Sequence, residues 1–543
     1  MVQKTFYLTD DILHLPVSDG GERRYIQILD ARDEEKRLAE FYISLESRGS
    51  HEYYPLYVKP WGTHDVILRC GDADAPADLF DAVETGGTIE ARGDLYPDIY
   101  REPGRQQIHF SSRRGWLNDP NGLVYADGTY RMCYQHNPYG NTHGGVNISW
   151  GLALSRDGIR FKEYPDAIRP GDTQTHIASG SAIVDTDNLS GKGKGTILAA
   201  YTALGSLDYR KNGERALTRG QMLVYSTDGG FTFTPFPHDP VIPVPPGADW
   251  RDPKLLRLDD GRLCIAVYEK YDDQKCVSFY VSADCVNWTF VSRSMDLYEC
   301  PDLFALPAAE TGERKWVLYG ADGKYRIGDF RGCRFEQTEE GMYLDYGSAT
   351  YAGQTWNSHP DPEGRYHIAW IRDDTVPVSQ PFSQSMSLIC RFTLHRTSAG
   401  LRLFKKPIDA LASLRYEGSL FGQHRTASAS AAAEYGIPVP GEAVFTFDAA
   451  GPVRLTVDGH GFEWDPQTGR MTFTSGKTYT RAASGPCTVR VISDVRSAEL
   501  FIDDEISATF TSLGHEKTVR IEGDAPDIDS RIWKLHSIWE RMI

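Results

Sequence analysis

The 543-residue chain contains no run of 18 apolar residues, so no segment reads as a membrane-crossing helix and no membrane partner is expected. It also lacks an excess of positive charge. Its 58 Lys and Arg stand against 75 Asp and Glu, a net charge of −17. A polyanion would be repelled, which excludes nucleic-acid binding through phosphate neutralisation as the main role; a neutral substrate meets no such barrier. The nine cysteines (70, 133, 264, 276, 285, 300, 333, 390 and 487) include no CxxC pair and no Cys/His cluster. A disulfide scaffold, a structural zinc site or any other metal centre is therefore not expected, and reduced thiols fit best. Residues 1–11 lack the apolar core of a secretory signal, which points to the cytoplasm; a secreted protein whose leader had been replaced by Met1 would read the same way. Helical periodicity is scarce as well.

What the chain holds in quantity is turn and strand formers: 51 Gly, 30 Pro, 11 Trp, 29 Tyr and 23 Phe. Apolar and polar residues alternate in stretches such as 365–370 and 488–492. The expected fold class is all-β. Three segments resemble one another: Ser155-Arg156-Asp157-Gly158, Ser226-Thr227-Asp228-Gly229 and Ser282-Ala283-Asp284-Cys285. Each follows a strand-like segment and precedes an aromatic residue (Phe161, Phe233, Trp288), as an Asp capping its own turn would. Their separations, 71 and 56 residues, approach one four-stranded sheet plus loops, the signature of a β-propeller. Three unrelated hairpins would also produce the pattern.

The expected layout has an N-terminal β domain over 1–100, ended by the acidic stretch Asp94-Leu95-Tyr96-Pro97-Asp98. A propeller follows over 101–403 and a C-terminal β-sandwich over 404–543. Lys405-Lys406-Pro407 reads as the start of a linker over 404–418, with 407–415 a short helical or extended connector. The Ala-rich stretch 427–433 reads as a loop.

Three acids sit in distinctive surroundings: Asp119 in Trp116-Leu117-Asn118-Asp119-Pro120-Asn121-Gly122, Asp252 in Trp250-Arg251-Asp252-Pro253-Lys254, and Glu299 in Tyr298-Glu299-Cys300-Pro301-Asp302. A following Pro biases two of them toward extended backbone. Apolar and aromatic neighbours would make an unused carboxylate costly. Equivalent strands of a propeller line one channel, so distant acids can converge. Convergent carboxylates suit glycoside cleavage, in which one ionises and attacks while another donates a proton to the leaving oxygen. Tyr298 and Cys300 are expected to dehydrate Glu299 and raise its pKa. Arg251 is expected to keep Asp252 ionised.

These motifs, with His109-Phe110 before them and Tyr134-Gln135-His136-Asn137-Pro138 after the first, resemble the signatures of glycoside hydrolase family 32, the invertases, inulinases, levanases and fructosyltransferases. Ser179-Gly180-Ser181, Asp345-Tyr346-Gly347 and Leu535-His536-Ser537-Ile538-Trp539 match too, so the resemblance runs over roughly 94–543. It implies a five-bladed β-propeller with an appended β-sandwich and a retaining reaction on β-fructofuranosides. Asp119 would be the nucleophile, Glu299 the acid/base and Asp252 the transition-state stabiliser. Substrate contacts would come from Asn118, Gln135, Trp150, Ser179 and Arg251, with a turn or core amide the lesser alternative for Asn118 or Gln135. No cofactor is implied, and the partner is a fructose-containing saccharide.

The sequence departs from the family where His143-Gly144 replaces a usual Trp-Gly and Ala178 replaces a Phe. Both changes remove apolar wall from the expected pocket. His143 is either a polar substrate contact or a loop histidine. The first hundred residues, with Tyr53, Tyr54, Tyr57 and Trp61, either stack on sugar or form a core. The reading is a fructan or fructosyl-oligosaccharide hydrolase. A fructosyltransferase or a difructose-anhydride enzyme using the same intermediate is one alternative, and a catalytically silent sugar-binding propeller is the other.

Overall fold

The computed structural model describes the chain apart from residues 19, 48–51, 90, 91, 93, 97, 98, 171–175, 205–219, 246, 247, 418–431, 512, 513, 515, 524–527 and 541–543, and apart from the side chains of 146 and 340. Most of the Ala-rich 427–433 stretch, and Pro97 and Asp98 of the expected first boundary, lie outside the described residues. The described residues form nine sheets, and their only helical segments are three 3-10 turns, so the fold is all-β as expected.

Two small sheets built from Val2–Tyr7, Ile12–Val17, Arg24–Asp30, Asp33–Ile43, Glu52–Tyr57, Asp65–Cys70 and Glu84–Thr85 share one core of alternating apolar residues, among them Leu13, Leu15, Ile26, Ile28, Phe41 and Leu68. Tyr54 belongs to this core and Trp61 packs against it, which favours the structural reading of the N-terminal aromatics.

Five sheets follow, each built on a four-stranded antiparallel meander, and the first, second and fifth carry one further two-residue strand. Their first strands are Gly115–Ala126, Ile177–Asp185, Trp250–Arg257, Asp302–Pro307 and Thr350–Thr355. The first strand of the second sheet packs between those of the first and third, and the first strand of the fifth packs against that of the first. Phe382–Ser383 pairs in parallel with Gly115 and Trp116, joining the end of this body to its beginning. The Asp-bearing segments are turns between the third and fourth strands of the first three sheets. Asp157 accepts from the N–H groups of Ile159 and Arg160, Asp228 from Phe231 and Thr232, and Asp284 from Val286 and Asn287.

The expected linker at 404 needs correction. Lys405, Lys406 and Pro407 complete the strand Gly400–Pro407, which pairs with Cys390–Thr397. A Lys-Lys-Pro run reads as solvated chain, but Lys405 is 3% exposed and lies 3.6 Å from Asp345, which neutralises it inside the sheet. The connector is the 3-10 turn Asp409–Leu414. Beyond it, a six-stranded and a five-stranded sheet enclose a common core that includes Phe445, Leu455, Val491 and Leu500.

The body and C-terminal sheets are joined by residues of the outlying motifs. Trp539 stacks on Tyr100 at 4.1 Å and donates to the Gln106 carbonyl. His109, fully buried, lies 2.8 Å from Asp494 and 2.9 Å from Glu499. Burial opposes a charge there, but the two carboxylates prevail and raise the His109 pKa to about 9. A His pKa above its unfolded value gives stability that is complete below about pH 6.5 and lost as pH rises through about 9, on the order of 3 kcal/mol in all. Urea midpoints are expected to fall between pH 6 and 10 in the wild type and to fall less steeply in His109→Gln. Parallel profiles for the two proteins would contradict this.

Candidate active site

Two of the three acids are aimed by a device repeated in the first strands, and Glu299 lies just before the first strand of the fourth sheet. In four of the five sheets, pairing between the first and second strands slips, at Leu117/Pro120, Ile177/Gly180, Arg251/Lys254 and Tyr351/Gln354, with a second slip in the first sheet at Asn121/Val124. Bulges of this kind re-aim side chains that regular alternation would send into the sheet packing. Asp119, Ser179, Asp252 and Tyr351 all stand at these slips. Asp252 has φ 65° and Glu299 φ 51°, left-handed conformations that non-glycine residues adopt at a cost and that gather at functional sites.

Cys300 lies at the centre. Its Sγ is 3.4 Å from Asp119 Oδ2 and 3.5 Å from Asp252 Oδ2, and its backbone N–H donates to Asp252 Oδ2 at 3.1 Å. Asp119 also accepts from Ser179 Oγ at 2.5 Å and Asn118 Nδ2 at 3.1 Å, and the Trp116 indole fixes Asn118 from behind at 2.8 Å. Glu299 accepts from the Tyr351 hydroxyl at 2.5 Å and pairs with Arg251, whose guanidinium also pairs with Asp249. Beneath the acids Lys254 meets Asp302 at 2.8 Å with both buried, bolting the second motif to the third. Thr202 accepts from the Asp252 N–H at 2.9 Å.

The electrostatics reverse two expectations. Burial pushes Asp252 up to about 7; Arg251, 3.8 Å away, opposes this, and the Asp119 carboxylate adds to it. Arg251 therefore does not hold Asp252 fully ionised, because its guanidinium is engaged by Asp249 and Glu299. Burial also raises Asp119, against the hydrogen bonds from Ser179, Asn118 and Cys300. Glu299 moves the other way. Burial would raise it, but Tyr351 and then Arg251 outweigh burial and hold it below the usual glutamate value. The expected dehydration is present, but the contacts from Tyr351 and Arg251, with a further one from Tyr298 itself, stabilise the charge and outweigh it.

The candidate substrate contacts divide. Asn118 and Ser179 touch Asp119, and Arg251 touches Glu299. Trp150 is a correction: it is 0% exposed, donates to the Ala178 carbonyl and packs on Gly122, where any Cβ would come within 2.9 Å of the indole. It supports the wall and cannot touch a ligand. Gln135, 3% exposed, commits its amide N–H to the Ile177 carbonyl and likewise supports. His143 is exposed and stands edge-on to Trp116 at 6.3 Å, with His176 at 5.5 Å. Trp116 meets Trp370 at 5.9 Å, and Trp370 meets Tyr351 at 6.1 Å, so an arc of rings runs from Glu299 to the two histidines. Desolvation lowers the His143 pKa, Asp119 opposing, which favours a neutral imidazole offering one donor and one acceptor.

Sequence reasoning missed Tyr351, Trp370, His176 and Thr202. Tyr351 follows a match to Asp345-Tyr346-Gly347 by only a few residues, but nothing local marks it as a partner of Glu299. Among the described residues no group of three His, Cys, Asp or Glu could hold a metal ion.

Residues 109–407 match the family model described as the glycosyl hydrolases family 32 N-terminal domain. A levanase of Bacillus subtilis (strain 168) is 30% identical over 463 residues, 75% of this chain and 65% of the levanase. The extracellular exo-inulinase inuE of Meyerozyma guilliermondii is 31% identical over 333 residues, 56% of this chain and 63% of that protein. This chain therefore spans just under two thirds of these curated relatives. The crystal structure of exo-inulinase from Aspergillus awamori superimposes with a TM-score of 0.69 at 22% identity, covering 81% of this chain and all of the other, and so shares its fold. With the family model spanning more than half of its length, the chain belongs to glycosyl hydrolase family 32.

Proposed function

We propose that the protein is a retaining β-fructofuranosidase acting on fructans or fructosyl oligosaccharides. The observation that carries this reading is the meeting of Asp119, Asp252 and Glu299 around Cys300. Levanase, exo-inulinase and invertase among the relatives support the substrate class. The five body sheets are read as the blades of a five-bladed propeller, and the last two sheets as a β-sandwich. Three equivalent Asp-capped turns and the pairing of the body's end with its beginning support this. Residues 1–100 are read as a separate N-terminal β domain, and the propeller runs to Pro407. Nine free, buried thiols support a reducing, cytoplasmic location.

In the reaction, Glu299 protonates the leaving oxygen while Asp119 attacks the anomeric carbon, forming a fructosyl ester and releasing the alcohol. Water then attacks the same carbon, gives its proton to Glu299 and frees Asp119. Asp252 faces the positive charge that develops on the sugar. Tyr351 and Arg251 hold the Glu299 carboxyl below the usual glutamate value. A sugar hydroxyl that draws Arg251 aside removes that restraint and lets Glu299 carry its proton.

The test is a product-resolved screen on sucrose, kestose, inulin, levan and difructose anhydrides, with NMR of the first-formed fructose. Release of fructose with retained configuration supports the reading, and transfer products without free fructose would make it a fructosyltransferase. No turnover of any of them would overturn it. One pH prediction follows from Tyr351. Its hydroxyl stabilises the Glu299 carboxylate, so Tyr351→Phe raises that pKa and keeps the acid form to higher pH. The alkaline limb of kcat/KM is expected to move upward, as an apparent value of the coupled acids. A limb that stays in place or moves down would contradict the assignment of Glu299 as the acid.

A further inference from the structure

His143 stands on the loop between Thr129–Asn137 and Ser149–Ser155 of the first body sheet, and one side of this loop is held by the N-terminal sheets. The strand Asp33–Ile43 is the edge of its sheet. Asn147 takes the place of a neighbouring strand there: its Oδ1 accepts from the Tyr42 N–H at 3.0 Å, and its Nδ2 donates to the Tyr42 carbonyl at 2.7 Å. Asn147 also donates to Asn137 Oδ1 at 3.2 Å, and Asn137 donates to the Thr142 carbonyl at 2.8 Å, one residue before His143. Both asparagines are at most 2% exposed. Tyr139, on the same loop, lies flat on Phe41 at 4.2 Å and edge-on to Tyr54 at 5.0 Å, so it packs into the N-terminal core. Arg23 reaches the Gly144 carbonyl at 3.4 Å. On the other side, Asn141 donates to the carbonyls of Pro377, Val378 and Gln380, tying the loop to the segment before Phe382–Ser383.

A loop with this many buried side-chain anchors has one conformation, and that conformation fixes where His143 meets Trp116. Gly144 shows how tight the arrangement is: with φ 70°, a Cβ there would come within 2.2 Å of Asn137 Nδ2. Without the N-terminal sheets the loop would lose both the Tyr42 pairing and the Phe41 face, leaving the Asn141 tether, the bonds its Gly140 and Ile148 carbonyls accept from the Trp116 and Ile177 N–H groups, and its internal hydrogen bonds.

We propose that the N-terminal domain is a specificity-determining brace, and that Asn147 and Tyr139 are positioning residues through which its edge strand and core hold His143 on the rim of the saccharide site. This rests on the fructosidase reading for the ligand, but the brace itself does not. A sugar unit beyond the cleaved bond reaches the rim, whereas a small activated aryl fructoside needs only the carboxylates. The brace therefore acts on the affinity for oligosaccharides and leaves bond cleavage alone.

Two readouts test it on the full chain. The first is amide hydrogen exchange over 138–148 without any sugar, in wild type, Asn147→Ala, Tyr139→Ala and Tyr139→Phe. Exchange is expected to rise in both alanine variants and to stay near wild type in Tyr139→Phe, which keeps the ring on Phe41. The second is kinetics. For Asn147→Ala and Tyr139→Ala, KM for a fructosyl trisaccharide is expected to rise about tenfold, the loss of roughly one well-made hydrogen bond, with kcat on an aryl fructoside within about twofold. Lys4→Ala, which breaks the exposed pair with Asp81 elsewhere in the same domain, serves as a control expected to change neither readout. Unchanged exchange over 138–148 would overturn the brace. So would an equal fall in kcat on both substrates, which is the behaviour of a generally weakened fold. A wild type that turns over no fructoside would overturn the proposed function instead, and the exchange result would still decide whether the brace exists.

Discussion

Asp119→Asn is expected to lower kcat by about 10⁴-fold or more while leaving the fold intact, the scale seen when a reaction's nucleophile is removed. An amide cannot form the fructosyl ester, and no neighbour can replace it: Ser179 and Asn118 are committed to orienting this carboxylate, and Cys300 is buried with its thiol pKa raised by its apolar surroundings and by the nearby acids. Stability should move the other way. Burial already disfavours the ionised Asp119, so a neutral isostere that still accepts from Ser179 relieves an unfavourable charge. The Tm of Asp119→Asn is therefore expected to equal or exceed that of the wild type. A folded variant with near-normal kcat would remove Asp119 from the chemistry, and a large fall in Tm would contradict the electrostatic picture of the site.

Glu299→Gln is expected to slow the first step by about 10²–10⁴-fold for sugar leaving groups, the usual worth of a positioned general acid. Aryl fructosides, whose leaving groups need little protonation, should lose much less in pre-steady-state fructosylation. Their second step should then become limiting, because Glu299 is also the base that activates water. Azide, which attacks without a base, should restore turnover of aryl fructosides in Glu299→Gln and do nothing for Asp119→Asn. Equal losses for both leaving-group classes, with no azide rescue, would assign Glu299 a binding role. The substitution also strips Arg251 of one partner while leaving Asp249, so that guanidinium keeps a counter-charge and the variant should fold.

Much of the site was legible because its signals are local. A carboxylate among apolar and aromatic neighbours is costly unless it is used, and three such motifs in order point to carboxylate chemistry without any contact being known. The repeated Asp turns were legible for the same reason, since each Asp bonds to N–H groups two to four residues onward. Only three sheets announce themselves this way. The fourth turns tightly between Arg331 and Arg334 and the fifth between Thr397 and Gly400, with no capping Asp. The Lys405 strand was illegible for the opposite reason, its buried charge being cancelled by Asp345, sixty residues earlier.

The sequence by itself determined the all-β class, the family signatures and the three acids, because alternation, turn chemistry and motif spacing act over a few residues. Tertiary structure alone decided the protonation of those acids and the walls around them. Tyr351 and Arg251 lower Glu299 while burial raises Asp252, an outcome set by which partners reach each carboxylate across different sheets. Trp150, adjacent in the chain to the active loop, turned inward to support the second sheet, whereas Trp370 and His176, carrying no local signal, came to the rim. A pKa or a pocket wall is a sum over neighbours in space. Here those neighbours come from strands far apart in the chain, so no short stretch of sequence contains them.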